Sequence, residues 1–212
     1  MQPKTLDHVA LWVSERDAIA DALAADFGMH VIERTDRFTL VGADARRFKL
    51  TLFESEGARE PGALMHVALR VNVLPDGPRE SVLPHGLKVV LVEAPTEVDY
   101  DLDHVALLSA DPEAAAAGWE AFGFARAGEA RLEVGGAFLE LHRGEPAGQG
   151  EPLLNHLAVL VDSVEEHIAA AEELGLEIAD IVDAPNTLAL FVYGPDGVKL
   201  ELVEHKPSFS LS

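Results

Sequence analysis

The chain has 212 residues, of which 48% are hydrophobic, so it is long enough to bury a core as one large domain or two small ones. Its 37 acidic and 16 basic residues give a formal net charge of -21. Such a surface repels phosphate backbones and anionic lipids, which argues against nucleic acid and membranes as partners. The absence of cysteine excludes disulfides, zinc–thiolate sites, iron–sulfur clusters and a cysteine nucleophile.

The N-terminal segment gives an expectation about location. Residues 1–7 lack the basic and apolar regions of a signal peptide, and Asp7 would interrupt one. No apolar run in the chain approaches the roughly 20 residues that a membrane-spanning helix needs. We therefore expect a cytoplasmic protein.

A six-residue motif occurs four times along the chain, each time with histidine at its third position and alanine two residues later. The first and third copies are identical. The copies are Leu6–Leu11, Leu64–Leu69, Leu102–Leu107 and Leu154–Val159. Four such copies in one chain predict an internal repeat of four units, each beginning with a strand.

Three of the four motifs are followed by the start and stop signals of a helix. The predicted N-caps are Ser14, Asp111 and Ser163, and the glycines that close the helices are Gly28, Gly123 and Gly175. In the third helix we expect a buried stripe and a solvated His167. That stripe consists of Val164, Ile168, Ala171 and Leu174.

Short segments with a period of two follow the helices and predict antiparallel strands with one buried face. They are Arg37–Val41, Phe48–Phe53, Leu87–Glu93, Ala130–Val134, Ala137–His142, Thr187–Tyr193 and Val198–Val203. Each unit therefore reads as strand, helix and three strands. The second unit is the exception, because residues 73–78 contain proline and glycine where a helix would lie. We expect an α+β protein of tandem βαβββ modules whose second module is truncated.

Two histidines and two glutamates of the C-terminal half form the candidate site. In a strand, residues i, i+2 and i+4 share a face, so His104 and His156 each lie beside a small alanine. Glu140 and Glu201 stand between apolar residues at corresponding positions of the last strands of units three and four. Because an unpartnered buried carboxylate is costly, a divalent metal bound by all four residues would explain both glutamates. Such nitrogen and oxygen ligands suit zinc, nickel, manganese or ferrous iron.

The N-terminal half departs from this pattern. His8 and His66 occupy the histidine positions, but Thr51 stands where Glu140 stands and Val90 stands where Glu201 stands. We therefore expect residues 1–95 to form a degenerate domain whose histidines are hydrogen-bonded core residues. Residues 102–206 would form the domain with the metal site.

The pattern resembles the vicinal oxygen chelate superfamily, which includes glyoxalase I, extradiol dioxygenases and bleomycin-binding proteins. The segment Gly194–Glu201 is similar to the final hairpin and ligand strand of that family. The resemblance implies that modules pair into open, curved mixed sheets around one divalent metal ion. By motif it makes His104, Glu140, His156 and Glu201 the ligands, in an order that most resembles glyoxalase I.

The resemblance implies a metal-dependent isomerase or lyase acting on a small substrate that chelates the metal through vicinal oxygens. Glu201 or Glu140 would then move a proton, and His142 has the strand parity to face the cavity as an acid–base group or to lie at its rim. The protein would be a monomer or a homodimer.

Two alternatives remain open from the sequence. The first is an extradiol-type ring-cleaving dioxygenase with His104, His156 and Glu201 as ligands. The segment Asp183–Thr187 lacks the expected histidine, Phe191 stands where a tyrosine is expected, and a carboxylate at Glu140 would crowd the oxygen site. The second is a non-catalytic small-molecule binder of the bleomycin-resistance type.

Overall fold

The computed structural model describes residues 1–44, 47–77, 79–146, 148 and 150–209. Within them lie three helices, α1 (Arg16–Phe27), α2 (Pro112–Ala121) and α3 (Val164–Glu173). The strands of units one and two are β1 (Thr5–Val13), β2 (His30–Arg34), β3 (Phe38–Gly42), β4 (Lys49–Glu54), β5 (Leu64–Val71), β6 (Glu80–Val82) and β7 (Lys88–Glu93). Those of units three and four are β8 (Asp101–Ser109), β9 (Ala125–Arg126), β10 (Arg131–Val134), β11 (Ala137–Arg143), β12 (Leu154–Leu160), β13 (Ile178–Asp183), β14 (Thr187–Tyr193) and β15 (Lys199–His205).

The strands form two open mixed sheets, which confirms the predicted α+β class. The first sheet has the order β13-β14-β15-β12-β1-β4-β3-β2, and the second has the order β6-β7-β5-β8-β11-β10-β9. The described part of unit two has three strands and no α-helix, which confirms the predicted truncation. Pro78, in the segment that replaces the helix, lies outside the described residues.

The pairing of the units differs from the expected one. Unit one joins unit four through the antiparallel pair β1–β12, and unit two joins unit three through the antiparallel pair β5–β8. The predicted domains, 1–95 and 102–206, each contain two consecutive units. In the structure, however, each sheet combines one unit of the first range with one unit of the second. The sequence could not reveal this partnership, because nearly identical motifs carry no preference for one partner over another.

A single hydrophobic core lies behind both sheets. The residue after each motif histidine is fully buried in one continuous apolar cluster, to which both sheets contribute. These residues are Val9, Val67, Val105 and Leu157. Because successive side chains of a strand point to opposite faces, the histidines face away from this core.

The helix starts follow the predicted signals at α2 and α3 but not at α1, whereas Gly28 ends α1 in the left-handed conformation as predicted. Asp111 and Ser163 accept hydrogen bonds from the backbone N–H groups of Ala114 and Glu166. The N-cap of α1 is Glu15, and the hydroxyl of Ser14 lies 3.2 Å from His85 Nε2 instead of capping the helix.

The predicted buried face of α3 needs two corrections. Val164 and Ala171 are buried as expected, but Leu174 is exposed. His167 is buried and not solvated, since its Nε2 accepts a hydrogen bond from the backbone N–H of Gln2 at 3.1 Å. None of the described helices is both long and apolar enough to span a bilayer.

Candidate functional site

The first sheet brings two motif histidines together at the seam between units one and four. On β1 and β12, His8 lies opposite Ala158 and His156 lies opposite Ala10. The small alanines leave room for both imidazole rings, whose Nε2 atoms are 3.1 Å apart. The sequence had assigned His8 to a degenerate half without a metal site, but the structure places it against one of the predicted ligands, His156.

Glu201 completes a group of three ligand atoms with these histidines. It lies on β15 beside Ala158 of β12. Its Oε2 is 2.8 Å from His156 Nε2 and 3.1 Å from His8 Nε2. Among the described residues, this is the one set of three or more such ligand atoms that all lie within 4.8 Å of one another. We call His8, His156 and Glu201 the first site.

The three side chains of the first site shift one another's pKa values. Burial opposes ionisation of His8, but the negative charge of Glu201 and the hydrogen bonds to Asp7 and Glu201 raise the pKa of His8 to about 9. Burial would raise the pKa of Glu201, but the positive charge of His8 and hydrogen bonds from both histidines lower it to about 2. Burial lowers the pKa of His156 despite its contact with Glu201. At pH 7, His8 is therefore protonated, His156 is neutral and Glu201 is ionised.

The buried carboxylate of Asp7 orients the ring of His8 through its Nδ1 atom. Asp7 Oδ2 accepts a hydrogen bond from His8 Nδ1 at 2.8 Å, which leaves Nε2 directed at the other two ligand atoms. Asp7 Oδ1 lies 3.0 Å from Lys49 Nζ and 3.2 Å from His205 Nε2. Burial alone would raise the pKa of Asp7, but Lys49, His205 and His8 hold it well below its ordinary value.

A β-bulge explains why Asp7 can reach its neighbour. Leu6 pairs with Val159 and His8 pairs with Ala158, so Asp7 is an extra residue on β1. The ladder skips one residue in the same way before each of the other motif histidines. Strict alternation would have pointed Asp7 away from His8, and sequence parity therefore missed it. The repeated Asp-His pair at 7–8 and 103–104 was the signal that could have found it.

The first site fits a divalent metal ion. Two atoms bound to one ion at about 2.1 Å lie about 3.0 Å apart when their bonds form a right angle. The three distances of the first site agree with this value. His156 Nδ1 is buried and has no hydrogen-bond partner among the described residues. Two imidazoles and one carboxylate on one face are the ligand set of non-haem iron sites, and they also suit zinc, nickel and manganese.

The first site opens into a cavity of about 440 Å³. Its wall is largely apolar, with Phe38, Phe53, Phe191 and Phe209 among the lining residues. Thr51 also lines it, at the ladder position opposite Ala10 that corresponds to Glu140 opposite Ala106 in the second sheet. Three candidate ligands therefore lie at this cavity, and Thr51 stands where a fourth ligand would lie.

The other two predicted ligands lie in the second sheet. His66 and His104 face each other across β5 and β8 with their Nε2 atoms 2.9 Å apart, and Glu140 Oε2 is 3.7 Å from His104 Nε2. We call His66, His104 and Glu140 the second site. The structure thus pairs His104 with Glu140 and His156 with Glu201, and it does not bring all four to one ion. The reason is the pairing of unit four with unit one.

His142 belongs to the surroundings of the second site. Its Nε2 is 3.6 Å from Glu140 Oε2, and nearly half of its side chain is exposed. Of the two positions that its strand parity allowed, the structure places it at a rim and away from the cavity of the first site. His205, to which the sequence gave no role, lines that cavity instead.

Comparison with known proteins agrees with this architecture. A model of the "Glyoxalase/Bleomycin resistance protein/Dioxygenase superfamily" matches residues 101–202. This match covers most of units three and four. The fold of the whole chain is that of vicinal oxygen chelate proteins. A comparison with curated proteins found no match.

Solved structures of the superfamily fold superpose over nearly the full chain. A protein of Bacillus subtilis subsp. subtilis str. 168, described as a "putative dioxygenase", has a TM-score of 0.73 at 16% identity and covers 98% of this chain and 87% of its own. A mutant of glyoxalase I from Zea mays has a TM-score of 0.72 at 20% identity, with 94% and 92% covered. The cppA protein of Streptococcus pneumoniae TIGR4 has a TM-score of 0.66 at 13% identity, with 96% and 98% covered. At these identities the likeness shows the fold alone.

Proposed function

We propose that the protein is a metal-dependent vicinal oxygen chelate enzyme whose ion is held by His8, His156 and Glu201. The observation that carries the proposal is the mutual distance of their three ligand atoms, 2.8–3.1 Å, at the wall of a largely apolar cavity. The site is complete within one chain, so catalysis does not require a second copy. The substrate is a small molecule with two neighbouring oxygen atoms.

Within this class, a ring-cleaving dioxygenase is the activity that the geometry supports best. A ferrous ion held there would supply the one-electron chemistry that lets molecular oxygen react with a chelating substrate. Three protein ligands leave room for a bidentate substrate and for oxygen. The objection that Glu140 would crowd the oxygen site no longer applies, because Glu140 lies in the other sheet.

The residues of the cavity have definable roles in such a reaction. Phe53 and Phe191 would pack against a flat substrate ring. His205 is a further imidazole in the cavity and would accept the proton that a substrate hydroxyl loses on binding. Asp7 would hold His8 in the orientation in which Nε2 faces the ion.

A glyoxalase-type isomerase is the second candidate, and one observation favours it. Glu33 lines the cavity and is only partly exposed, so a carboxylate that is not a ligand is available to move a proton between substrate carbons. Zinc, nickel or manganese would then act as the Lewis acid.

The test is an activity assay on protein stripped of metal and reloaded with one ion at a time. Anaerobic loading with Fe²⁺, followed by oxygen-uptake measurements on a panel of catechols, should give uptake that is lost in Glu201→Gln and kept in Glu140→Gln. Conversion of a hemithioacetal by the Ni²⁺ or Zn²⁺ protein, without oxygen uptake, would support the isomerase instead. Failure to retain any ion after reloading would contradict both candidates and favour a binding protein.

A further inference from the structure

The two sites share one arrangement of ligand positions, and each lacks a carboxylate at a different one. In the first sheet, the ladder positions beside Ala10 and Ala158 carry Thr51 and Glu201. In the second sheet, the positions beside Ala106 and Ala68 carry Glu140 and Val90. Each site thus keeps two facing histidines and one carboxylate, although the carboxylate comes from a different unit of the pair. Ligand chemistry alone therefore predicts a metal at both.

One difference between the two sites lies beside the carboxylate. In the second sheet, Arg131 of β10 lies opposite Glu140 in the ladder. In the first sheet, Phe191 of β14 lies opposite the carboxylate Glu201, and Leu40 of β3 lies opposite Thr51. An arginine therefore stands beside the one carboxylate of the second site, where the first site has an apolar side chain.

The guanidinium group of Arg131 is fixed on the second site. Its Nε lies 3.1 Å from Glu140 Oε1, and its Nη2 lies 4.0 Å from an oxygen of Asp103, the carboxylate that orients His104. Its central carbon lies 3.7 Å from the centre of the Phe138 ring, so the planar group stacks on an aromatic face. Both carboxylates near His104 thus already have a permanent cation beside them.

This arrangement does not fit a divalent ion. The ligand atoms of His66, His104 and Glu140 do not all lie within 4.8 Å of one another, whereas those of the first site do. A cation among these atoms would also lie close to the positive charge of Arg131, with which it would compete for Glu140. We propose that the positive charge of Arg131 replaces that of a metal ion at the second site and keeps this site free of metal. Removal of this one side chain would then open a second metal site in the chain.

The experiment counts ions at the second site alone. The background is His156→Ala, which removes a ligand of the first site, so the result does not depend on the proposed function. Into it we would place Arg131→Leu, which copies Leu40, and Arg131→Lys, which keeps the charge. Arg143→Leu is the matched control, since Arg143 is an exposed arginine near the end of β11. Each protein is equilibrated with Co²⁺, and bound cobalt is measured by mass spectrometry and visible absorption.

The proposal predicts that Arg131→Leu binds about one Co²⁺ per chain. The background protein, the Arg131→Lys protein and the Arg143→Leu protein should bind none. Adding His104→Ala to the Arg131→Leu protein should remove the ion again.

Two results would overturn the proposal. One is an Arg131→Leu protein that is folded by circular dichroism and still binds no cobalt. The other is a background protein that already holds an ion, which His104→Ala removes. If His156→Ala does not fold, Glu201→Gln serves as the background, with the same outcomes.

Discussion

The two histidine pairs of this protein begin from nearly the same sequence and arrive at different surroundings. Both pairs lie on antiparallel strands with a bulge before each histidine, and their Nε2 atoms are 3.1 and 2.9 Å apart. At the first site, the side chain of Glu201 is 9% exposed and faces a largely apolar cavity. At the second site, the side chain of Glu140 is 25% exposed and is paired with an arginine. The motif sets the histidines in place, and the neighbouring strands decide what they can bind.

The first and largest contrast that we expect is between the two glutamates. Glu201→Gln should lower the bound metal from about one ion per chain to almost none, because a neutral amide replaces the only carboxylate ligand of the first site. Glu140→Gln should leave the metal content unchanged. Metal analysis after reloading checks both proteins, and equal losses in the two would contradict the separation of the sites.

The second contrast concerns the carboxylates that orient the histidines. Asp7→Asn should weaken metal binding about 10–100-fold, because Asp7 holds the ring of His8. It should also cost roughly 3 kcal/mol of unfolding free energy, since the buried Lys49 loses a charged partner. Titration with metal and urea unfolding measure the two effects.

Asp103→Asn is the matched control for Asp7→Asn, because Asp103 has the same place beside His104. We expect its metal affinity to equal that of the unmutated protein. A loss of affinity as large as that of Asp7→Asn would place the ion in the second sheet.

The third expectation is a dependence of metal affinity on pH. Because the pKa of His8 is raised to about 9, the ion must displace a proton from Nε2 at neutral pH. Affinity should therefore rise about tenfold per pH unit and level off as pH passes the pKa of His8. Calorimetry at several pH values should find release of about one proton per ion. Affinity that stays flat between pH 7 and 8 would show that His8 is not a ligand.

The smallest effect is expected at Thr51, which occupies the place of the missing carboxylate. Its hydroxyl is buried and has no hydrogen-bond partner among the described residues, so Thr51→Val removes an unsatisfied polar group. The unfolding free energy should stay the same or rise by about 1 kcal/mol, and metal content should not change. Thermal unfolding with and without metal measures this, and a loss of metal would make Thr51 part of the binding site.

Much of the fold could be predicted from local sequence. The repeated motif, the caps at Asp111 and Ser163 and the alternating segments predicted the units and most of their strands. The register of the ladders also agrees with the alignment of Thr51 with Glu140. These features depend on residues that are near one another in the chain.

The partnership of the units could not be predicted in this way. The first strands of all four units have nearly the same sequence, so alternation gave no reason to pair His156 with His8 and not with His104. Asp7 was missed, and Arg131 was left without a role, for a related reason. The side chain of Asp7 is redirected by a bulge, and Arg131 matters only because its strand lies beside Glu140.

The most direct test of the account is the metal content of His8→Ala and His104→Ala, prepared in parallel without chelators or a histidine tag. If the first site holds the ion, His8→Ala loses it and His104→Ala keeps about one ion per chain. Loss of the ion in His104→Ala with retention in His8→Ala would contradict the account, and would return the metal to the four residues of the C-terminal half.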